Sequence, residues 1–236
     1  MNAMILAAGR GTRLGTLGRS VPKVLVDVGG KPLLERNLDF LYRQGVRRVV
    51  INAHHLAESV QAFVAGYAGP IEIMVIVEDK LLGTAGGVRN ALPDLEPGPF
   101  IVFYGDVLID EPLDPLLDLH RSRGAVATLA VHEAESAEGK GTVEIDQTGR
   151  VTRFAEKQAT SAGPALINSG IYVLERDLIA PLTPGVPCDF GQDVLPAAVE
   201  RGEPVYAGRL AAPVIDIGTP EGLDDARASA VGRQHG

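Results

Sequence analysis

Two glycines and two cations stand where a phosphate-bearing ligand could be held. Leu6-Ala7-Ala8-Gly9-Arg10-Gly11-Thr12-Arg13-Leu14 is followed by Val21-Pro22-Lys23. Glycines let the backbone come close to a ligand, and successive N–H groups in such a turn form a concavity for anions. Arg13 can fork two phosphate oxygens, while Lys23 brings a compact charge to one. Together they suit a triphosphate. Gly-x-Gly alone is also what a plain chain reversal uses. Two other phosphate loops fit poorly: a dinucleotide fingerprint needs glycine at position 14, where Leu14 stands, and no Gly-Lys-Ser/Thr of a Walker loop is present.

Two carboxylates come next. Asp106 follows the apolar run Phe100–Tyr104 through Gly105, and Asp216 follows Val214-Ile215. Ligands of open α/β sheets bind outside the carboxyl ends of strands, and a hard carboxylate oxygen there suits Mg²⁺ that also contacts substrate phosphates. Each residue has a plainer reading as well, Asp106 as a turn cap before Pro112 and Asp216 as a helix start before Pro220. In Leu82-Gly83-Thr84-Ala85-Gly86-Gly87, the helix start after Thr84 offers N–H groups to an anion. His54 and His55 sit at a strand end, where a helix-start role is expected. His120, His132 and His235 lack metal-ligand spacing. No Ser-His-Asp order or Gly-x-Ser-x-Gly elbow supports nucleophilic hydrolysis.

These residues need a scaffold. The pattern predicts a strand over Met4–Ala8, a helix over Pro32–Gln44 closed by Gly45, and a strand over Arg48–Asn52. A helix over His55–Tyr67, a strand over Ile71–Val77, a helix over Gly86–Ala91 and the strand Phe100–Tyr104 follow. This alternation predicts an α/β fold, a Rossmann-like mixed, mostly parallel sheet with helices on both faces. Ala125–His132 reads as a strand, Thr142–Ile145 and Val151–Phe154 as a hairpin around Gln147-Thr148-Gly149, and Ile171–Leu174 and Val214–Ile217 as further strands. Pro220–Ala230 reads as a helix. One domain over residues 1–236 is expected, with residues up to about 110 holding a nucleotide and the remainder completing an acceptor pocket.

Composition narrows the classes. Of 236 residues, 45% are hydrophobic and 22% charged, enough for a sizeable core and against disorder. A formal net charge of -8 argues against a general nucleic-acid binder but allows a phosphate site built from a few local cations. Cys188 is the single cysteine, so no internal disulfide forms, and a reducing cytoplasmic location is expected. No apolar stretch approaches the ~20 residues of a membrane span.

The run AAGRGTRL with its downstream PK pair resembles the signature of the sugar-1-phosphate nucleotidyltransferases. The resemblance continues through GGKPLLE (residues 29–35), LLGTAGG (81–87), YGD (104–106), AEK (155–157), NSGIY (168–172) and DIGTPEG (216–222). Six ordered motifs over nearly the whole chain are far more specific than any one. The resemblance implies a GT-A-like fold and Mg²⁺-dependent transfer of a nucleotidyl group to a sugar 1-phosphate, with pyrophosphate released. Catalysis would fall to Arg13, Lys23 and Asp106, and the metal to Asp106 and Asp216. Leu6, Ala8, Gly9, Gly11, Thr12, Glu78, Gly83 and Thr84 would bind the nucleotide, and Gly141, Glu156, Lys157 and Asn168 the sugar phosphate. Asp189 and Asp193 match a segment near the acceptor. Gln158 departs from the usual proline after the Glu-Lys pair. Where members using UTP or dTTP often carry glutamine, this chain has Glu78-Asp79, and a carboxylate there suits guanine's N1–H and amino group.

The GTAGG spelling is nearest to guanylyltransferases for mannose or manno-heptose 1-phosphate. Uridylyl or thymidylyl transfer to glucose-, N-acetylglucosamine- or N-acetylmuramate-1-phosphate is the alternative. Cytidylyltransferases of polyol phosphates and guanylyltransferases of the molybdenum cofactor share the opening. A catalytically silent regulatory homologue would be expected to lose Arg13, Lys23 or one aspartate. Expected partners are GTP and a sugar 1-phosphate, with a homodimer allowed for and neither nucleic acid nor membrane. No hexapeptide repeat is present, so a β-helix is not expected.

Overall fold

The computed structural model describes residues 1–156, 162–212 and 214–232. The chain divides into two compact units, each gathered from separate stretches. Of the described residues, 1–81, 104–110 and 214–232 form the first, and 82–103, 111–156 and 162–212 the second.

In the first unit, strands Asn2–Leu6, Arg48–Ala53 and Glu72–Val77 are parallel, with Ile5 opposite Ile51 and Ile51 opposite Val75. Their apolar residues are buried where the strand pairs on both sides, as continuous hydrophobic runs in parallel sheets require. The opening strand runs two residues earlier than its sequence suggests and stops at Leu6. Ala7 leaves the ladder because its N–H donates to the Asn52 side chain (2.9 Å).

Helix Leu33–Arg43 presents Leu33, Leu34, Leu38 and Leu41 on its buried face, and Gly45 follows with φ 82°, a conformation that favours glycine. Asn37, on the same face, donates to the Gly105 carbonyl (3.2 Å). Helix Ala57–Ala65 links the second and third strands. A short antiparallel pair sets Ile215 opposite Leu108 and Asp216 opposite Val107, and helix Pro220–Gly232 follows. Leu14, Val26, Val28, Leu33, Leu108, Ile217, Leu223, Ala226 and Ala230 form one apolar cluster.

The second unit centres on the long strand Ala162–Leu174. It runs antiparallel to Phe100–Tyr104 (Phe103 opposite Ile171), to Ala127–Ser136 and to Thr142–Ile145. The strand over Ile171–Leu174 read from the sequence is only its last part. The register against Ala127–Ser136 shifts between Asn168 and Tyr172, where Gly170 takes φ 71°. The expected hairpin is present: Thr142–Ile145 pairs with Val151–Ala155, and the Asp146 carboxylate accepts from Thr148 and Arg150 in the turn.

Strand Val205–Arg209 adds in parallel to Ala127–Ser136, and helices Gly83–Ala91, Asp114–Arg123 and Leu195–Glu200 complete the unit. Both units are thus α/β, the first with three parallel strands and short antiparallel pairs, the second mixed. Among the described residues no helix is long and apolar enough to cross a membrane.

Candidate functional site

The first unit brings together four charged residues spread from position 13 to position 216. The Lys23 ammonium lies 2.5 Å from Asp106 Oδ2 and 3.3 Å from Asp216 Oδ1, and Arg13 Nη2 lies 3.8 Å from Asp216 Oδ2. Lys23 is 10% exposed at its side chain, Asp106 31% and Asp216 52%, so the cation is enclosed while both carboxylates stay open to solvent.

Backbone bonds fix the positions. The Asp106 carbonyl accepts from Ile217 N–H (3.0 Å), and Gly218 N–H donates to Asp216 Oδ1 (2.6 Å). Gly105 N–H donates to the Leu6 carbonyl (2.9 Å), and a Cβ on Gly105 would lie 2.7 Å from Val24 Cγ1 and 2.8 Å from Leu6 O. Only glycine lets the chain carrying Asp106 pass this close to the opening strand. A Cβ on Gly218 would lie 2.5 Å from Lys23 Nζ, 2.7 Å from Asp216 Oδ1 and 2.8 Å from Arg13 Nη2.

The glycine turn begins beside this cluster. Gly11 takes φ 61° and heads the 3-10 turn Thr12–Leu14, with Leu14 N–H donating to its carbonyl (3.0 Å). Gly9 faces open space and Thr12 is exposed, whereas Ala8 is buried and Leu6 half-buried.

The strand ends of this unit are joined by side chains. The Asn52 amide accepts from Ala7 N–H (2.9 Å) and donates to Glu78 Oε1 (2.7 Å). The Glu78 carbonyl accepts from His54 Nδ1 (2.8 Å), so that nitrogen carries the proton. Glu78 is 4% exposed, and in this arrangement its carboxylate helps to orient Asn52. His54 closes a strand end rather than starting a helix, since helix Ala57–Ala65 begins after it.

In the second unit, one expectation is overturned. The N–H groups of Thr84, Ala85 and Gly86, in the first turn of helix Gly83–Ala91, are already occupied within the protein. Thr84 N–H and Oγ1–H donate to Asp189 Oδ1 (3.2 and 2.9 Å), and Ala85 and Gly86 N–H donate to the Cys188 carbonyl (3.0 and 2.9 Å). Thr84 Oγ1 in turn accepts from Phe190 N–H (2.8 Å). The helix therefore starts at Gly83 rather than Gly86, capped by a segment more than a hundred residues away. Gly83 has φ 71°, and a Cβ there would lie 2.6 Å from the Cys188 carbonyl. Asp193 supports the clasp, its Oδ2 accepting from Asp189 N–H (2.7 Å). Burial, then Asp193 and Asp189, push the Cys188 thiol pKa upward.

Gly141, Glu156 and Asn168 also meet in this unit. Asn168 N–H donates to the Gly141 carbonyl (2.9 Å). A Cβ on Gly141 would lie 2.6 Å from Glu156 Oε2, and one on Gly191 would lie 2.5 Å from it. The Asn168 amide donates to Tyr172 Oη (2.6 Å) and accepts from Gly170 N–H (3.2 Å). Beside these residues opens a cleft of about 540 Å³ whose lining includes Arg153, Glu156, Gly191, Gln192 and Glu200. Lys157 and Gln158 lie outside the described residues. Behind Asn168, Ser169 Oγ pairs with His132 Nδ1 (2.9 Å), and burial, with a smaller part from Lys140, lowers the His132 pKa.

Asn37, Asn52, Gly191 and Gly218 are site residues that motif reading did not single out. Gly218 stands inside DIGTPEG, where its need to lack a side chain depends on two cations from the other end of the chain. Gly191 stands inside the acceptor-like run for the same kind of reason.

The donor set fits a hard divalent ion. Asp106 and Asp216 present oxygens to the same point, now held by the Lys23 ammonium, and Mg²⁺ is usually bound by one or two carboxylates plus water and phosphate oxygens. Among the described residues no group of three or more His, Cys, Asp or Glu is placed to hold a metal ion, so further ligands would come from water and substrate.

Comparison with known proteins places the chain in a family. The profile described as "Nucleotidyl transferase" matches residues 2–231. The mannose-1-phosphate guanylyltransferase of Mycobacterium tuberculosis is 34% identical, aligned over 98% of this chain and 64% of the relative. The UTP--glucose-1-phosphate uridylyltransferase of Synechocystis is 33% identical over 92% of this chain and 60% of the relative. The chain thus spans under two thirds of those relatives. HddC from Yersinia pseudotuberculosis, solved in complex with GMP-PN, superposes with a TM-score of 0.81 at 30% identity, covering 97% of this chain and 98% of that one.

Proposed function

We propose, on the premise that this chain belongs to the nucleotidyl transferase family, that it transfers a nucleotidyl group from a nucleoside triphosphate to a sugar 1-phosphate and releases pyrophosphate. The observation that carries this reading is the meeting of Arg13, Lys23, Asp106 and Asp216 in one cluster. A silent homologue has no reason to keep all four.

An oxygen of the acceptor's phosphate forms a bond to the α-phosphorus as the bond from that phosphorus to the β-phosphate oxygen breaks. The electron pair leaves with pyrophosphate. The attacking monoester is already ionised near neutral pH, so no strong general base is required, and positioning and charge neutralisation dominate. Arg13 takes the departing pyrophosphate, and Lys23 the α-phosphate or pyrophosphate. Asp106 and Asp216 would hold Mg²⁺, which would supply positive charge against the crowded phosphates. The glycine turn from Gly9 to Thr12 lies against the phosphates. Lys157 binds the acceptor phosphate, while Gly141, Glu156 and Asn168 surround the sugar hydroxyls.

We favour GTP with a manno-configured acceptor. The named relatives include mannose-1-phosphate guanylyltransferases, and Glu78, whose buried carboxylate accepts from Asn52, would have to give up that bond to reach guanine. The uridylyltransferase relative supports UTP with glucose 1-phosphate as the second reading.

The test is pyrophosphate release with Mg²⁺ over a grid of triphosphates against mannose, manno-heptose, glucose, N-acetylglucosamine and N-acetylmuramate 1-phosphates. Turnover in the GTP row with a manno-configured acceptor is expected. Turnover only with UTP or dTTP keeps the reaction and discards the base. Silence across the grid discards the reaction for these acceptors.

A further inference from the structure

We infer that Lys23 is an internal placeholder cation. Its ammonium occupies the Asp106–Asp216 pair until a divalent ion arrives, so ion and triphosphate bind as partners rather than independently. The inference rests on the reading of those two carboxylates as the metal pair.

Lys23 Nζ contacts one oxygen of each carboxylate, at 2.5 Å and 3.3 Å, with the side chain 10% exposed. An ammonium there takes up oxygens that a divalent ion would need at about 2.0–2.1 Å. An ion seated on these carboxylates would meet the lysine's positive charge at close range, so its binding works against the lysine contact.

The backbone restricts how that exchange happens. Lys23–Leu25 is a 3-10 turn, with Leu25 N–H on the Pro22 carbonyl (2.8 Å). The next residue, Val24, is buried, and its Cγ1 lies 2.7 Å from where a Cβ on Gly105 would be, one position before Asp106. The two chain segments are packed together, so release is a swing of the lysine side chain on its flexible four-carbon stem. A triphosphate offers the displaced ammonium another anion. Phosphate therefore makes ion binding easier, and by linkage the ion makes phosphate binding easier to the same degree. With no phosphate present, Lys23 competes against the ion.

The test uses Mn²⁺ alone, counted as free ion by electron paramagnetic resonance, with no nucleotide. Lys23→Met is expected to bind Mn²⁺ at least about tenfold more tightly than the wild type, within the range usual for coupled sites. Adding Asp216→Asn should remove the gain, which locates the ion. Equal or weaker Mn²⁺ binding by a folded Lys23→Met protein overturns the inference.

A second measurement needs no variant. Amine labelling of Lys23 in the wild type, followed by mass spectrometry with the other lysines as reference, should be slow without ion and speed up as Mg²⁺ is raised. An unchanged rate at saturating Mg²⁺ also overturns it. Neither readout involves turnover. Tighter Mn²⁺ binding with a silent substrate grid would keep the placeholder and discard the transfer reaction, and turnover with unchanged Mn²⁺ binding would do the reverse.

Discussion

Gly218→Ala separates catalysis from stability at a single methyl group. The new Cβ would stand 2.5 Å from Lys23 Nζ, 2.7 Å from Asp216 Oδ1 and 2.8 Å from Arg13 Nη2, all closer than real Cβ atoms come to other atoms. Asp216 is anchored by its own backbone pairing with Val107, so the two cations are the parts that move. Displacing one preorganised charge typically costs about 10²–10³ in rate, or roughly 2.7–4 kcal/mol. Because two cations are disturbed together, kcat/KM should fall by at least about 10².

Stability should respond differently. Gly218 is not among the glycines with positive φ, so alanine fits the backbone there and gains roughly 0.4–1 kcal/mol through the unfolded chain. The strained cation contacts offset part of this, and the net change should stay within about 1 kcal/mol. Pyrophosphate release, with the substrate pair found by the grid, and a thermal melt on the same preparation read both quantities. Near-wild-type kcat/KM would refute the role given to the cluster. A melt lowered by many degrees would instead make Gly218 a structural residue.

Three further outcomes follow from the second unit. Gly191→Ala pushes a methyl onto Glu156 Oε2, so the KM for the sugar 1-phosphate should rise about tenfold or more, equivalent to about 1.4 kcal/mol, with the triphosphate KM unchanged; an unchanged acceptor KM would remove Glu156 from the acceptor site. Asp189→Ala takes away the side-chain cap of helix Gly83–Ala91, a loss of about 0.5–2 kcal/mol, and amide exchange should quicken at Thr84–Gly86; exchange at the wild-type rate would show that the Cys188 carbonyl suffices. His132 has a folded pKa lowered below 6.5, so as pH falls through that value the unfolded chain takes up its proton first. The contribution is intact above 6.5 and lost as pH drops towards the folded value. Urea midpoints between pH 7 and 5 should therefore fall less steeply in His132→Gln, and identical slopes would contradict the assignment.

How much of this was legible in the sequence depends on the range of the interaction that decides each feature. Helix Leu33–Arg43 and the hairpin around Asp146 are set by local periodicity and turn chemistry, and the structure repeats them almost residue for residue. Helix Gly83–Ala91 was read three residues short because Cys188 and Asp189, which cap it, lie a hundred residues away. The same distance explains the misread N–H groups: a Gly-rich helix start looks like an anion site until a carboxylate from elsewhere fills it. The opening strand stops early for a similar reason, a side-chain amide from the next strand having taken Ala7's N–H. The charged residues were legible because their motifs are spelled out. The glycines that leave room for their side chains were not, since a missing Cβ has meaning only once its neighbours are known.

The same comparison explains how charges so far apart in sequence reach one point. Opposite charges in water attract too weakly to fold a chain around themselves. Each charged residue here has an apolar neighbour in sequence that is buried. Leu14 follows Arg13, Leu108 comes two after Asp106 and Ile217 follows Asp216, and all three belong to the one cluster that helix Pro220–Gly232 completes with Leu223, Ala226 and Ala230. Val24, next to Lys23, is buried against Gly105. Burial of these side chains supplies the driving force, and the strand pairing of Ile215-Asp216 with Val107-Leu108 sets the spacing. The site is therefore the polar edge of an apolar cluster. That is why Asp216 can remain half exposed and still be held in place, and why its partners can exchange one cation for another without unfolding their support.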